Sequence, residues 1–148
     1  QRLNANYIDE KGNKQKPVLI HRALFGSLER FIGILIEHYE GKFPFWLAPV
    51  QVVICPITDK FNSYAESIYK KINNLGFKIE FDNRNEKINY KIRDHSHKKV
   101  PILFIIGEKE KKSNSVTIRE LSVEKQKVLD VKKAIEFLEK KNLKKNNF

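Results

Sequence analysis

Arg30 stands three residues after Ser27 and three before Gly33 in the run Gly26-Ser27-Leu28-Glu29-Arg30-Phe31-Ile32-Gly33. Ser27 is a suitable N-cap for the helix-periodic residues Leu28, Phe31, Ile32, Leu35 and Ile36, which places the guanidinium in the first turn of a buried helix. A cation there opposes the positive end of the helix dipole unless an anion lies beside it. Gly33, on the same face, leaves room for a flat ligand against the helix and the guanidinium. The chemistry implied is nucleotide binding; the alternative is a surface arginine that is solvated or paired at a distance.

A second group of donors lies in Asp82-Asn83-Arg84-Asn85-Glu86-Lys87-Ile88-Asn89-Tyr90-Lys91-Ile92-Arg93. It puts amides and guanidinia just past the end of a predicted strand and on the following helix, where open α/β sheets bind ligands. Each alone also reads as a solvated charge or a helix cap. The histidines offer little. His21 is a lone imidazole at a strand end, suited to zinc but more often structural. His95 and His97 are two apart on a helix, point to different faces, and read as surface residues. Cys55 ends the apolar run Val52-Val53-Ile54-Cys55 and reads as a buried strand residue, with no second cysteine to pair with.

The elements that must position these groups follow from pattern. Tyr7-Ile8, the turn-prone Asp9-Glu10-Lys11-Gly12-Asn13 and Val18-Leu19-Ile20 form a hairpin signature, followed by a helix from Leu28 to about Tyr39. Two prolines in Phe43-Pro44-Phe45-Trp46-Leu47-Ala48-Pro49 interrupt regular structure, so a boundary is expected between 1–45 and 46–148. Beyond it come a strand at 50–55, a helix at 60–75 capped by Asp59 and closed by Gly76, and a strand at 77–81. A helix at 86–98, strands at 102–106 and 115–119, and a helix through Val131, Ile135 and Leu138 capped by Asp130 follow. The tail from Glu139 is expected to fray. This order predicts an α/β fold: a mixed, mostly parallel sheet of four or five strands with flanking helices and an antiparallel edge, preceded by the end of an antiparallel α+β domain.

The chain has 148 residues, enough for one domain and part of another, and a formal charge of +11, which favours a polyanionic partner. Only six of the 29 basic residues are arginine, so lysine-rich composition accounts for part of that charge. The absence of methionine and the opening Gln1-Arg2-Leu3 suggest a fragment or processed piece. With no long apolar run and no signal-like start, a soluble cytoplasmic protein with no membrane partner is expected.

The run HRALFGSLERFIGILIEHY, His21 to Tyr39, closely resembles the third signature motif of class II aminoacyl-tRNA synthetases in its threonyl form, and FPFWLAPVQV, residues 43 to 52, continues the match. The stretch from Asp82 to Arg93 resembles the anticodon-binding segment of the same family. The resemblance implies that 1–45 ends a class II catalytic domain and that 46–148 is an anticodon-binding domain. It implies a catalytic, ATP-holding role for Arg30, with Ser27 and Gly33 in the same site and magnesium accompanying ATP. It assigns His21 to a zinc that reads the amino and hydroxyl groups of threonine, the other two ligands lying upstream of Gln1. Asn85, Arg93, Glu110 and Arg119 match the positions that contact the anticodon. Asn89 stands where the family commonly has glycine, and Arg119 is followed by Glu120-Leu121 rather than Thr-Arg.

The function this resemblance implies is that of a threonine-tRNA ligase, joining threonine to its tRNA through threonyl-adenylate in a homodimeric parent, with this piece inactive by itself. A rival of another class is a non-catalytic tRNA-binding accessory module with an anticodon-binding fold, which would not need the segment 18–39. A flavodoxin-like nucleotide binder would want a glycine-bearing phosphate loop after its first strand, and Pro56-Ile57-Thr58-Asp59 supplies none.

Overall fold

The computed structural model describes residues 4–20, 22–23, 25–123 and 125–143. The chain divides into two compact units, Gln1–Ile34 and Leu35–Phe148.

In the first unit, β1 (Tyr7–Ile8) pairs antiparallel with β2 (Lys14–Gln15), Tyr7 opposite Gln15. The expected partner strand at Val18-Leu19-Ile20 is not used, and these side chains are exposed. Asp9 explains the shorter hairpin. Its Oδ1 accepts the Lys11 and Asn13 amides at 3.0 and 2.8 Å, and Gly12 takes a φ of +79° that closes the turn early. Helix α1 (Leu28–His38) starts where Ser27 predicts, and the Ser27 Oγ accepts the Arg30 amide at 3.4 Å. It is not the buried helix expected: none of its described residues is buried, and Leu28, Ile32, Ile34 and Ile36 are exposed. Periodicity predicts which face is apolar, not what covers it.

The second unit is a five-stranded sheet in the order β4-β3-β5-β6-β7. Strand β3 (Val52–Pro56) lies parallel to β4 (Ile79–Phe81) on one side and to β5 (Ile102–Ile106) on the other. Strands β6 (Ser115–Glu120) and β7 (Lys127–Asp130) continue the sheet antiparallel. The mixed sheet and its antiparallel edge are as predicted. Strand β7 is an addition to the predicted set.

Helices α2 (Asn62–Asn73) and α5 (Val131–Leu143) pack on one face, where Ala65, Ile68, Ile72, Ala134 and Leu138 meet Val52, Ile54, Phe104 and Val116. Helix α3 (Ile88–His97) covers part of the other face, where Ile88 and Ile92 meet Val53, Cys55 and Leu103. Strands β3 and β5 are buried along their whole length, which is why both read as unbroken apolar runs.

Three local expectations change. Asp59 does not cap α2: a 3-10 turn over Asp59–Phe61 precedes it, with Thr58 before the turn. A short helix α4 (Glu108–Lys112) replaces the expected loop after β5. The tail is helical through Leu143 because Leu138 is fully buried and anchors the last turns; residues 144–148 lie outside the described set. At the expected boundary, Phe45 is drawn into the sheet's core beside Phe77, and the Gln51 amide donates to its carbonyl at 2.9 Å. No helix among the described residues is long and apolar enough to cross a membrane.

Candidate nucleic-acid interface

Strand alternation divides the sheet's residues between the two faces. In β6, Val116 and Ile118 enter the core under α2 and α5, so Thr117 and Arg119 face the other way. Register then builds two cross-strand rows on that face: Ile105, Thr117 and Val128 in one, Leu103 and Arg119 in the next. Leu103, Ile105 and Thr117 are buried, Arg119 is half-buried and Val128 is exposed, so solvent reaches these rows only toward Arg119 and the β7 edge.

Glu110 stands at the edge of this surface on α4. Its Oε1 accepts the Thr117 hydroxyl at 2.7 Å and its Oε2 accepts the Gly107 amide at 2.9 Å, which closes the helix's first turn. Burial raises the carboxyl's pKa, but the hydrogen bonds from Thr117 and the backbone outweigh it and leave the group below its ordinary value. A Cβ at 107 would lie 2.8 Å from Ile57 Cδ1, the far end of an exposed side chain that can move aside, so glycine suits this position. Two lone-pair sites on the carboxylate remain for an outside donor.

Asn85 is exposed in the loop between β4 and α3, beyond the C-terminal end of a parallel strand. Arg93 is exposed on α3, one position from Ile92, which packs against the sheet. Glu110 and Arg119 are brought together through Thr117, whereas Asn85 and Arg93 stand apart from that link, in the loop after β4 and on α3. Among the described residues no hydrogen bond or ion pair joins these side chains to one another directly.

Beneath Asn85 and Arg93 lies a network that the sequence pattern did not reveal. Asp82, buried at the end of β4, receives Arg84 Nε on Oδ1 at 2.9 Å and an Arg84 terminal nitrogen on Oδ2 at 2.7 Å. The His95 Nε2 lies 2.7 Å from Oδ2. The same terminal nitrogen of Arg84 donates to Asp94 Oδ2 at 2.8 Å. The buried Lys91 ammonium donates to the carbonyls of Asp82 and Pro56 at 2.9 and 3.3 Å. Burial pushes the Asp82 carboxyl up, yet the Arg84 and His95 hydrogen bonds outweigh it and hold the pKa well below the usual carboxylate range. His95 is thus buried and not the surface residue expected, whereas His97 is exposed. The signal was present: Ile88, Lys91, Ile92 and His95 repeat at helical spacing and define α3's inner face.

Cys55, Asp82 and His95 place ligand atoms within 4.8 Å of one another, but their chemistry opposes a metal. Asp82 is already bound by Arg84 and His95, a lysine ammonium sits alongside, and burial pushes the Cys55 thiol up to about 12.

In the first unit, Arg30 is exposed and has no ion-pair partner among the described residues, and a Cβ built on Gly33 would meet no atom within 4 Å. The Ser27 hydroxyl donates to Glu29 at 2.6 Å as well as capping the helix. His21 lies outside the described residues.

Comparison with known proteins bears on both units. Residues 51–141 match the family described as anticodon binding domain. The chain is 58% identical over 130 residues to the threonine-tRNA ligase of Pelagibacter ubique (strain HTCC1062), covering 88% of this chain and 20% of that protein. It is 48% identical over 144 residues to the threonine-tRNA ligase of Rickettsia bellii (strain OSU 85-389), covering 97% of the chain and 23% of the relative. The chain therefore spans about a fifth of the length of the curated relatives it matches. The crystal structure of the RNA binding domain of threonyl-tRNA synthetase from Cryptosporidium parvum Iowa II superposes with a TM-score of 0.74 at 34% identity, covering 94% of this chain and 35% of that one.

Proposed function

We infer the function from one premise: the chain belongs to the anticodon binding domain family. The resemblance to threonyl-tRNA synthetases runs through both units, with relatives named threonine-tRNA ligase matching up to 97% of the chain. Our reading is that the second unit reads the anticodon of a threonine tRNA on behalf of a threonine-tRNA ligase. The observation that carries it is the link on one face of β6 and α4, where the half-buried Arg119 stands two residues from Thr117 on β6 and the Thr117 hydroxyl holds Glu110. Unstacked bases offer hydrogen-bonding edges, and this unit presents donors in Arg119, Arg93 and Asn85 with an oriented acceptor in Glu110. Lysines elsewhere on the surface add attraction without selectivity.

For the first unit, our reading is that Arg30, with Ser27 and Gly33, meets ATP carried with magnesium. An exposed arginine in a helix's first turn, with no ion-pair partner among the described residues and open space over the glycine three residues on, fits an anionic, flat ligand. ATP would supply the activation of the threonine carboxylate as an adenylate in the parent enzyme. His21 would contribute an imidazole to a zinc that senses threonine, with its other ligands from outside this chain, and the parent is proposed to be a homodimer acting in the cytoplasm.

The test is a titration of anticodon stem-loops, matched and base-substituted, at two salt concentrations. Arg93→Ala and Arg119→Ala should each remove about 1–3 kcal/mol of preference for the matched loop, by analogy with direct base readout. Lys140→Ala, on α5 across the sheet, should leave the preference intact. Equal affinity of the unaltered chain for matched and substituted loops would refute anticodon reading and leave only charge attraction.

A further inference from the structure

The two donors placed nearest α3, Asn85 and Arg93, are carried by different elements, a loop and a helix. Each is the immediate neighbour of one end of a single ion pair: Arg84 precedes Asn85, and Asp94 follows Arg93. The Arg84 guanidinium grips Asp82 with two nitrogens and Asp94 with one, so it joins the end of β4 to the outer turn of α3.

The inner anchor is buried and hydrogen-bonded on several sides. Asp82's side chain is only 3% exposed, its amide donates to the Ile54 carbonyl of β3 at 2.9 Å, and His95 Nε2 lies 2.7 Å from Oδ2, the oxygen that also takes Arg84's terminal nitrogen. The Arg84 amide also donates to Asp82 Oδ1 at 3.2 Å, which folds the backbone leading into Asn85. The Arg84 side chain is 43% exposed, and ion pairs at such exposure contribute little to stability. A fork that must satisfy two carboxylates at once, however, fixes direction strongly.

We propose that Arg84, clamped between Asp82 and Asp94, is a positioning residue that sets the spacing of Asn85 and Arg93 for base recognition. This rests on the reading of those two residues as anticodon contacts. Arg84 acts through its neighbours, and its own charge is already taken up by two carboxylates.

The experiment uses the full 148-residue chain and matched and base-substituted anticodon stem-loops, with thermal melting of every variant. Arg84→Lys keeps the charge and loses the fork; it should lower the preference for the matched loop about tenfold, the scale of one hydrogen bond to a charged group, while affinity for the substituted loop stays within about twofold. Asp94→Ala removes a negative charge, so it should bind both loops slightly tighter yet discriminate less, an outcome that simple loss of fold cannot give. It also serves if Arg84→Lys melts below the assay temperature. The double variant should discriminate no worse than the poorer single, since both break one link. Full preference retained in folded Arg84→Lys and Asp94→Ala overturns the proposal while leaving anticodon reading intact. No preference in the unaltered chain overturns both.

Discussion

Glu110 and Thr117 are seven residues apart and joined at 2.7 Å, so the short helix α4 is tied to the strand that carries Arg119. Thr117→Val removes the hydroxyl and keeps the shape. The Glu110 carboxyl lies below its ordinary value, so its stabilising contribution is present above the unfolded pKa of about 4.3 and is lost as pH falls through the lower folded value. Thr117→Val should cost about 1 kcal/mol at pH 7, and its melting temperature should converge with that of the unaltered chain under acid. An unchanged gap down to acid pH would count against it.

Asp82 should dominate the acid limb of the stability curve. Its folded pKa is depressed by its partners, so stability holds above about 3.9 and falls as pH drops through the folded value. Asp82→Asn takes the carboxylate from Arg84 and His95, though Lys91 keeps its bond to the residue's carbonyl, and should cost about 3–5 kcal/mol at neutral pH, while flattening the acid slope, by chemical denaturation at stepped pH.

The thiol of Cys55 is fully buried and its pKa is pushed up to about 12, so a maleimide should label it only as the sheet opens. Labelling in native buffer should be slow and accelerate with denaturant in step with unfolding. Fast native labelling would contradict the burial.

A chain begun at residue 46 discards Phe45, which packs on Phe77 within the sheet's core. Residues 46–148 should still fold, but with stability lower by about 3–5 kcal/mol than residues 41–148, the usual cost of losing a buried phenylalanine. Equal melting temperatures would show Phe45 to be dispensable.

The isolated chain should not attach threonine to tRNA, and in the parent Arg30→Ala should weaken ATP use far more than tRNA binding. Steady-state aminoacylation and tRNA titration separate the two. Unchanged ATP dependence with weakened tRNA binding would remove Arg30 from the nucleotide.

The central strands were readable because strands buried on both faces must be apolar throughout, as Val52–Pro56 and Ile102–Ile106 are. The crossover helices then dictated parallel pairing. Helix α4 was invisible because Glu108–Lys112 contains no apolar residue; its only trace is the spacing of Gly107 and Glu110, which closes its first turn. Strand β7 has two apolar residues between charges, and an edge strand needs no more. The Asp82 network escaped because its members are polar groups that meet only in three dimensions, 13 positions apart for Asp82 and His95. Of the candidate contacts, the acceptor Glu110 and the donor Arg119 are linked by the fold, whereas pattern alone could not say that Thr117 stands between them.

The pairing of β3 has a bearing on how the chain emerges during synthesis. Val52 faces Ile79 on one side and Ile102 on the other, so neither edge of this wholly apolar strand can be closed until residues far downstream have been made. Strands β6 and β7, by contrast, pair only with near neighbours. Until β5 leaves the ribosome, the nascent chain displays an open, sticky edge at Val52–Pro56 to other chains. Products that stop before residue 102 therefore keep this edge of β3 unpaired.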